Sequence, residues 1–187
     1  MKFITCSLFA VLLLTTSATL MASSVNDAEK ARAKIAASLS EELLCQAGEG
    51  IARAGDPDSN RLITSAGAVI VEGNDPFFNQ FRYSFKEPLS VGANQLFRVQ
   101  QDVGEGGVIF IAEVKGGLQA LVKQLGAVKA SAEDDFIGVE NVIFYKTLSE
   151  TTPADAEPQF TKIIIGQDPE QKKAGRFFYG CVEATQL

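Results

Sequence analysis

Carboxylates and lysines must supply any acid–base chemistry of this chain, because its 187 residues include no histidine. Histidine is the commonest general base and the commonest metal ligand in proteins, and its absence removes every Ser-His or Cys-His nucleophilic pair. A histidine-free hydrolase would need two carboxylates converging on one pocket. The candidates for such a pair are Asp75, Asp102, Glu113, Glu133, Asp134 and Asp135.

One acidic segment has the spacing with which a calcium-binding loop begins, namely Asp56, Asp58 and Asn60. The sixth position of such a loop requires glycine and the twelfth requires glutamate. This chain has Arg61 and Gly67 at those positions. We therefore interpret the segment as a turn that ends a helix, and we expect no metal site.

Two glycine-rich segments invite comparison with phosphate-binding loops. Residues 104–107 precede a predicted strand, so they lack the helix N-terminus that binds phosphate. Gly116 and Gly117 precede a predicted helix but are not followed by the Gly-Lys-Ser/Thr of a phosphate loop. The acidic run at 133–135 is typical of a solvated loop. No cofactor is expected.

Residues 1–22 have the layout of a secretory signal peptide. A positive start at Lys2 precedes an apolar run from Phe3 to Leu14, and a segment of mainly small residues ends at Ala22. The apolar run is too short for a membrane-spanning helix of about 20 residues. We therefore predict a periplasmic or secreted protein with no membrane span, in which residues 23–187 form a single exported domain.

The three cysteines are reduced to two if this signal peptide is removed, because Cys6 lies within it. An even pair in an exported protein is typical of a disulfide. We predict that Cys45 and Cys181 form this bond, joining the first helix to the last strand. On the chain-entropy model the long loop that it closes is worth about 4–5 kcal/mol of stability.

The charge balance limits the class of partner. Removal of residues 1–22 leaves 16 basic and 23 acidic residues, a formal charge of −7. A nucleic-acid-binding protein normally has the opposite sign and a basic stripe. The sequence therefore argues against nucleic acid and favours a protein partner, more often basic than acidic.

Hydrophobic periodicity predicts an α+β fold. Apolar residues recur at helical spacing over 28–51 and again over 118–125. We expect an antiparallel sheet of about seven or eight strands, with one long N-terminal helix and a second short helix packed on it. The two halves, 27–115 and 116–187, have the same order of helix and strands and are candidates for a duplicated unit. Strands are predicted at 62–71, 81–86, 96–101, 108–114, 139–148, 160–165 and 176–183.

The loop of the clearest hairpin, residues 102–107, is small, acidic and rich in glycine. Asp102 and Glu105 in this loop are candidates for pairing with Lys or Arg of a partner. Phe77 and Phe78 follow a turn and are candidates for an apolar contact with a partner.

Together these features favour an exported, non-enzymatic binding protein of the bacterial envelope. An inhibitor or immunity factor acting on a periplasmic hydrolase or toxin is one form of this hypothesis. The alternatives are a histidine-free carboxylate hydrolase and a carrier of a small apolar ligand.

Overall fold

The computed structural model describes residues 15–46, 50–76, 78–152 and 159–184, with side chains from Asn26 onward. Four helices and eight strands are present in these ranges. In chain order they are α1 (Thr15–Glu42), α2 (Pro57–Ser65), β1 (Ala68–Glu72), β2 (Phe78–Val91), β3 (Asn94–Gly104), β4 (Gly107–Lys115), α3 (Leu118–Leu125), β5 (Val128–Lys129), β6 (Val142–Thr151), β7 (Gln159–Gly166), α4 (Pro169–Lys173) and β8 (Phe177–Ala184).

The eight strands form one sheet in the order β1-β2-β3-β4-β8-β7-β6-β5, and every neighbouring pair is antiparallel. Strands that are adjacent in sequence are joined as hairpins over β1–β4. The last strand, β8, lies inside the sheet between β4 and β7. This arrangement confirms the predicted α+β fold and the predicted number of strands.

One face of the sheet carries the main core. Alternate residues of the central strands point to this face, where α1, α2 and α3 cover them. Ile35, Leu39 and Leu43 from the first helical segment are fully buried there, with Tyr83, Val99 and Phe110 from the strands. The apolar spacing of three and four residues in α1 gives it the single stripe that this packing requires.

The opposite face is covered unevenly. Over β7 and β8 a second cluster includes Phe160, Ile164 and Phe178, and the buried ring of Phe136 packs on it. The segment 130–142 supplies this ring and further apolar contacts, so it crosses the sheet as a strap over the C-terminal strands. The same face of β2 and β3 has no such cover and carries mainly polar side chains.

The first helix is shorter at its C-terminal end than its periodicity predicts. It ends at Glu42, and the amides of Leu44 and Cys45 donate to the carbonyls three residues back, which tightens the last turn. Cys45 has a positive φ of 55°, so the chain turns away there. Cys45 consequently lies just after the helix, and the prediction that it lies within the helix is wrong.

The second helix, α2, was predicted partly as a turn and partly as a strand. Asp56 is its N-cap, accepting from the amides of Asp58 and Ser59, and Pro57 occupies the first turn. The same Asp-Pro pair that we interpreted as the end of a helix therefore begins one. The local hydrogen bonds also lower the pKa of Asp56, with the Ser59 side chain contributing most.

The predicted disulfide between Cys45 and Cys181 is present, with a Cα–Cα distance of 5.0 Å. It joins the turn after α1 to the central strand β8. Among the described residues, no helix combines the length and apolar character needed to cross a membrane. Residues 1–14 of the predicted signal peptide lie outside the described ranges, and its cleavage stays a prediction.

Candidate functional site

The uncovered face of the sheet forms a groove of about 550 Å³. Strands β2, β3 and β4 form its floor, and residues 137–141 at the end of the strap form one wall. The groove extends towards α4, where Asp168 and Gln171 line it. Because the strap covers only the C-terminal strands, its edge turns an otherwise open sheet face into a concave site.

The floor of the groove follows from the two-residue period of the strands. On β2, Phe81, Tyr83 and Phe85 belong to the core, so Gln80 and Arg82 face the groove. On β3 and β4 the groove-facing residues are Arg98, Gln100, Asp102, Ile109, Ile111 and Glu113. The floor thus mixes charges of both signs with two isoleucines.

Asp102 is the most unusual residue of this floor, because its side chain is only 8% exposed. One carboxylate oxygen, Oδ2, accepts a hydrogen bond of 2.6 Å from Gln100 Nε2. The other, Oδ1, is buried and forms no hydrogen bond with any described residue. Arg82 Nη2 lies 3.9 Å from Oδ1, close enough for Coulomb attraction but beyond hydrogen-bond distance.

The prediction that Asp102 lies in a hairpin loop is wrong. Strand β3 extends to Gly104 and β4 begins at Gly107, so the turn is only Glu105-Gly106. Asp102 instead pairs in register with Gln80 on one side and with Ile109 on the other. The glycine-rich composition suggested a longer loop, whereas Glu105 and Gly106 alone form the turn.

The other predicted contact residues are distributed differently. Glu105 is exposed at the tip of the hairpin. Phe78 is half-buried and lines the groove, opposite Gly104 in the strand register. Phe77 lies outside the described residues. Asp102 and Phe78 therefore share one site, and Glu105 lies beyond its end.

Glu113 forms a tight ion pair at the other end of the floor. Its Oε1 is 2.7 Å from Arg176 Nη1, and the guanidinium of Arg176 stacks 3.8 Å from the centre of the Phe97 ring. Arg98, next to Glu113 in the register, is exposed and has no side-chain partner among the described residues. Arg82 and Arg98 are diagonal neighbours on adjacent strands, a spacing of about 7–8 Å.

The candidate carboxylates for hydrolysis separate into two groups. Asp75, Asp102 and Glu113 line the groove, whereas the run 133–135 does not. Asp134 accepts from the Ser131 amide at 2.7 Å and from its hydroxyl at 2.9 Å, and these bonds lower the pKa of Asp134. This acidic run therefore stabilises a local turn. Within the described ranges, no three Cys, Asp or Glu side chains converge in a way that could hold a metal ion.

Sequence reasoning missed a second charged feature on the same face. Lys162 is only 6% exposed, and its ammonium lies 4.1 Å from the centre of the Phe160 ring, with Phe136 and Tyr145 at 5.8 and 5.5 Å. Cation–π attraction of this kind holds the strap against the sheet. The only signal in the sequence was a lysine two positions from Phe160 and from Ile164, in the alternation of a largely apolar strand.

Comparison with known proteins gives no further guide to the site. The chain matches no protein-family profile, and neither curated proteins nor solved structures show significant similarity to it.

Proposed function

We propose that this chain is an exported, non-enzymatic binding protein that holds a basic segment of a protein partner in the groove on the open sheet face. The observation that carries the proposal is the buried carboxylate of Asp102, which lines this groove and has one oxygen without a hydrogen-bond donor among the described residues. A buried acceptor left without a donor costs about 1–3 kcal/mol. A partner that supplies the donor recovers this energy on binding.

The charge of the groove also favours a basic partner. Five acidic side chains line it against two arginines, and Arg176 neutralises one of the five, Glu113. The remaining acidic residues are Asp75, Asp102, Glu140 and Asp168. This excess agrees with the acidic balance of the whole chain, which would steer a basic partner towards it.

The dimensions of the site suit an extended peptide segment. The floor runs from Arg98 to Asp102 on β3 and on to Phe78, which pairs with Gly104, so it spans six residue steps, about 20 Å. A surface of this length accepts a loop or tail of a folded partner. In the periplasm or outside the cell, an inhibitor or immunity factor for a basic hydrolase or toxin would bind in this way.

Site-specific photo-crosslinking in the exporting cell tests this proposal. A photoreactive residue at Arg98, exposed on the groove floor, is expected to capture a discrete partner. The matched control places the same residue at Glu41, exposed on the helical side of the molecule. Equal capture at both positions, or capture unaffected by salt at the groove position, would count against an acidic groove as the binding surface.

A second candidate, a histidine-free hydrolase, is favoured by the presence of Asp75, Asp102 and Glu113 in one groove. The strand register argues against Asp102 and Glu113 as a catalytic pair. Glu113 lies four positions beyond Ile109, the partner of Asp102, which corresponds to about 13 Å along the strand. Carboxylate pairs of glycosidases are about 5–9.5 Å apart, and Glu113 is already paired with Arg176.

A further inference from the structure

We infer that Asp102 is the floor of a subsite that takes one basic side chain, a lysine or an arginine, of the protein partner. This inference rests on the proposed function and adds the chemistry of recognition at one named residue. Three features support it: the buried carboxylate of Asp102, apolar residues around this carboxylate, and the half-exposed guanidinium of Arg82, which a ligand can displace.

The walls of the subsite are suited to the aliphatic part of a long basic side chain. Ile109 is the direct cross-strand neighbour of Asp102 on β4, and Phe78 lies diagonally across on β2. Ile137, from the strap, lines the same groove. Lys and Arg bury their methylene groups against apolar surface of this kind while the charged end reaches a carboxylate.

The carboxylate of Asp102 has one oxygen that is held in place by a hydrogen bond and one that is available to a ligand. Gln100 holds Oδ2 at 2.6 Å, which fixes the plane of the carboxylate. Oδ1 has no donor in the described part of the chain, so a single N–H from the partner's ammonium or guanidinium completes its hydrogen bonding. Charge-assisted bonds of this type are roughly twice as strong as neutral ones.

Arg82 occupies the position from which that donor must come. Its Nη2 is 3.9 Å from Oδ1, and its side chain is 41% exposed, so it shields the carboxylate without forming a hydrogen bond. An incoming basic side chain therefore exchanges with Arg82, which swings towards solvent. Arg82 occupies the subsite in the free protein, and an incoming ligand must compete with it.

This exchange predicts that substitutions of Asp102 and Arg82 change the binding affinity in opposite directions. Removing the carboxylate by Asp102→Asn is expected to weaken binding of a basic side chain at least tenfold, equivalent to about 1.4 kcal/mol. Removing the competing cation by Arg82→Met is expected to tighten binding roughly threefold, since about 0.7 kcal/mol of competition is lost. A site that instead binds anions through Arg82 and Arg98 would respond in the reverse direction.

The experiment titrates the exported, purified protein with N-acetyl-arginine amide and follows the backbone amides by NMR. N-acetyl-lysine amide is the second probe, and N-acetyl-citrulline amide is the uncharged control of the same shape as the arginine probe. Shifts are expected at Gln80, Asp102 and Ile109 with both cations and not with citrulline. The same titrations are made with Asp102→Asn and Arg82→Met.

Equal binding of the arginine and citrulline probes, or weaker binding to Arg82→Met, would overturn the inference. Arg82→Met decides by its sign even if Asp102→Asn does not fold, because Arg82 is well exposed. The two proposals fail separately. A partner crosslinked at Arg98 with equal yield in the Asp102→Asn background leaves the groove as the binding surface and removes the Asp102 subsite.

Discussion

The side-chain amide of Gln101 pairs with both backbone groups of Ala54, as a neighbouring strand would. Its Oε1 accepts from the Ala54 amide and its Nε2 donates to the Ala54 carbonyl, each at 2.9 Å. Both residues are buried, so these bonds fasten the segment after α1 to the helical face of β3. They provide hydrogen-bond partners for the N–H and C=O groups of a backbone segment that belongs to neither a helix nor a strand.

Gln101→Leu is expected to destabilise the protein by roughly 2–4 kcal/mol, because it leaves two buried backbone groups without partners. Chemical denaturation of the purified variant measures this change. Gln95→Leu, at an exposed position of the same strand, is the matched control and should change the free energy of unfolding by less than about 0.5 kcal/mol. Equal effects of the two variants would contradict the role assigned to Gln101.

Glu42 and Arg53 form the second polar fastening of this segment. The carboxylate of Glu42 is 1% exposed, lies 2.8 Å from Arg53 Nε and also accepts a hydrogen bond from Ser38. Arg53→Met leaves this carboxylate buried without its cation, and we expect a loss of about 2 kcal/mol. The figure is below that for a fully buried pair because Arg53 is 43% exposed.

Thermal unfolding of Arg53→Met checks this expectation. Arg61→Met is its control, because the pair of Arg61 with Asp58 is exposed on both sides. The double variant Glu42→Gln with Arg53→Met should recover part of the loss, since it removes the uncompensated charge. No recovery in the double variant would show that packing of the arginine, rather than its charge, sets the stability.

The Cys45–Cys181 bond should contribute about 4–5 kcal/mol, as estimated for closure of a long loop. Cys45→Ala with Cys181→Ala is expected to lower the midpoint of thermal unfolding by roughly 8–20 °C, given about 2–4 °C per kcal/mol for a chain of this size. A thiol reductant should reproduce this change in the native protein and leave the double variant unaffected. A reductant effect of equal size in both would indicate another cause.

The buried tyrosines Tyr83 and Tyr179 lower the stability of the folded protein at alkaline pH. Burial raises the pKa of Tyr179 to about 12 from its ordinary value of 10.0, and burial with the nearby Glu42 charge raises the pKa of Tyr83. Because the raised pKa values belong to the folded state, their stabilising contribution is full below pH 10 and is lost as pH rises through 12. For Tyr179 this rise in pKa corresponds to a loss of about 2.7 kcal/mol in the free energy of unfolding above pH 12.

Denaturation measured between pH 9 and pH 12 tests this point. Tyr179→Phe should reduce the fall in the free energy of unfolding over this interval, because the group that titrates is removed. Absorbance at alkaline pH should show Tyr179 ionising only near pH 12. A native-state titration of all three tyrosines near pH 10 would contradict the burial of Tyr83 and Tyr179.

Gly180 allows the close approach of β8 to β4. A Cβ at this position would lie 2.1 Å from the carbonyl oxygen of Phe110, which belongs to the adjacent backbone. Gly180→Ala is therefore expected to cost more than about 3 kcal/mol, the range reached when a strand must shift. Gly106→Ala, where a Cβ meets no atom within 4 Å, is the control in the same expression and unfolding assays.

The sequence predicted the elements whose determinants are local. Alternating Phe81, Tyr83 and Phe85 identified β2, and the apolar stripe from Leu118 identified α3. The disulfide followed from the number of cysteines outside the predicted signal peptide. These features depend on periodicity and composition, which are visible within short windows of the chain.

The features that the sequence did not predict depend on residues far apart in the chain. The end of α1 and the segment after it are held by Arg53, Gln101 and Cys181, none of which is visible in the helical periodicity. The Asp-Pro pair before α2 fits both a helix end and a helix start, so local chemistry could not decide. Asp102 appeared to belong to a turn because acidic and glycine residues dominate its neighbourhood.

The candidate groove could not be predicted for the same reason. Its floor combines residues from three strands with a wall from the strap at 137–141. Which charged residues share a face depends on strand register and on two bulges, between Ser84 and Leu89 and between Leu96 and Arg98. The irregularity in β3 changes the alternation, since Leu96 and Val99 both face the core across it, so alternation counted from the sequence fails beyond that point.

The place of β8 within the sheet has a consequence for how the molecule assembles. Strands β1–β4 pair with sequence neighbours, whereas the contact of Glu113 with Arg176 joins residues 63 positions apart. Local hairpins close quickly and distant pairings close slowly. Until β8 inserts, β4 and β7 are exposed edges in addition to β1 and β5, and exposed edges promote aggregation. The chain is therefore most prone to aggregation before β8 takes its place in the sheet, and the yield of refolding should fall as protein concentration rises.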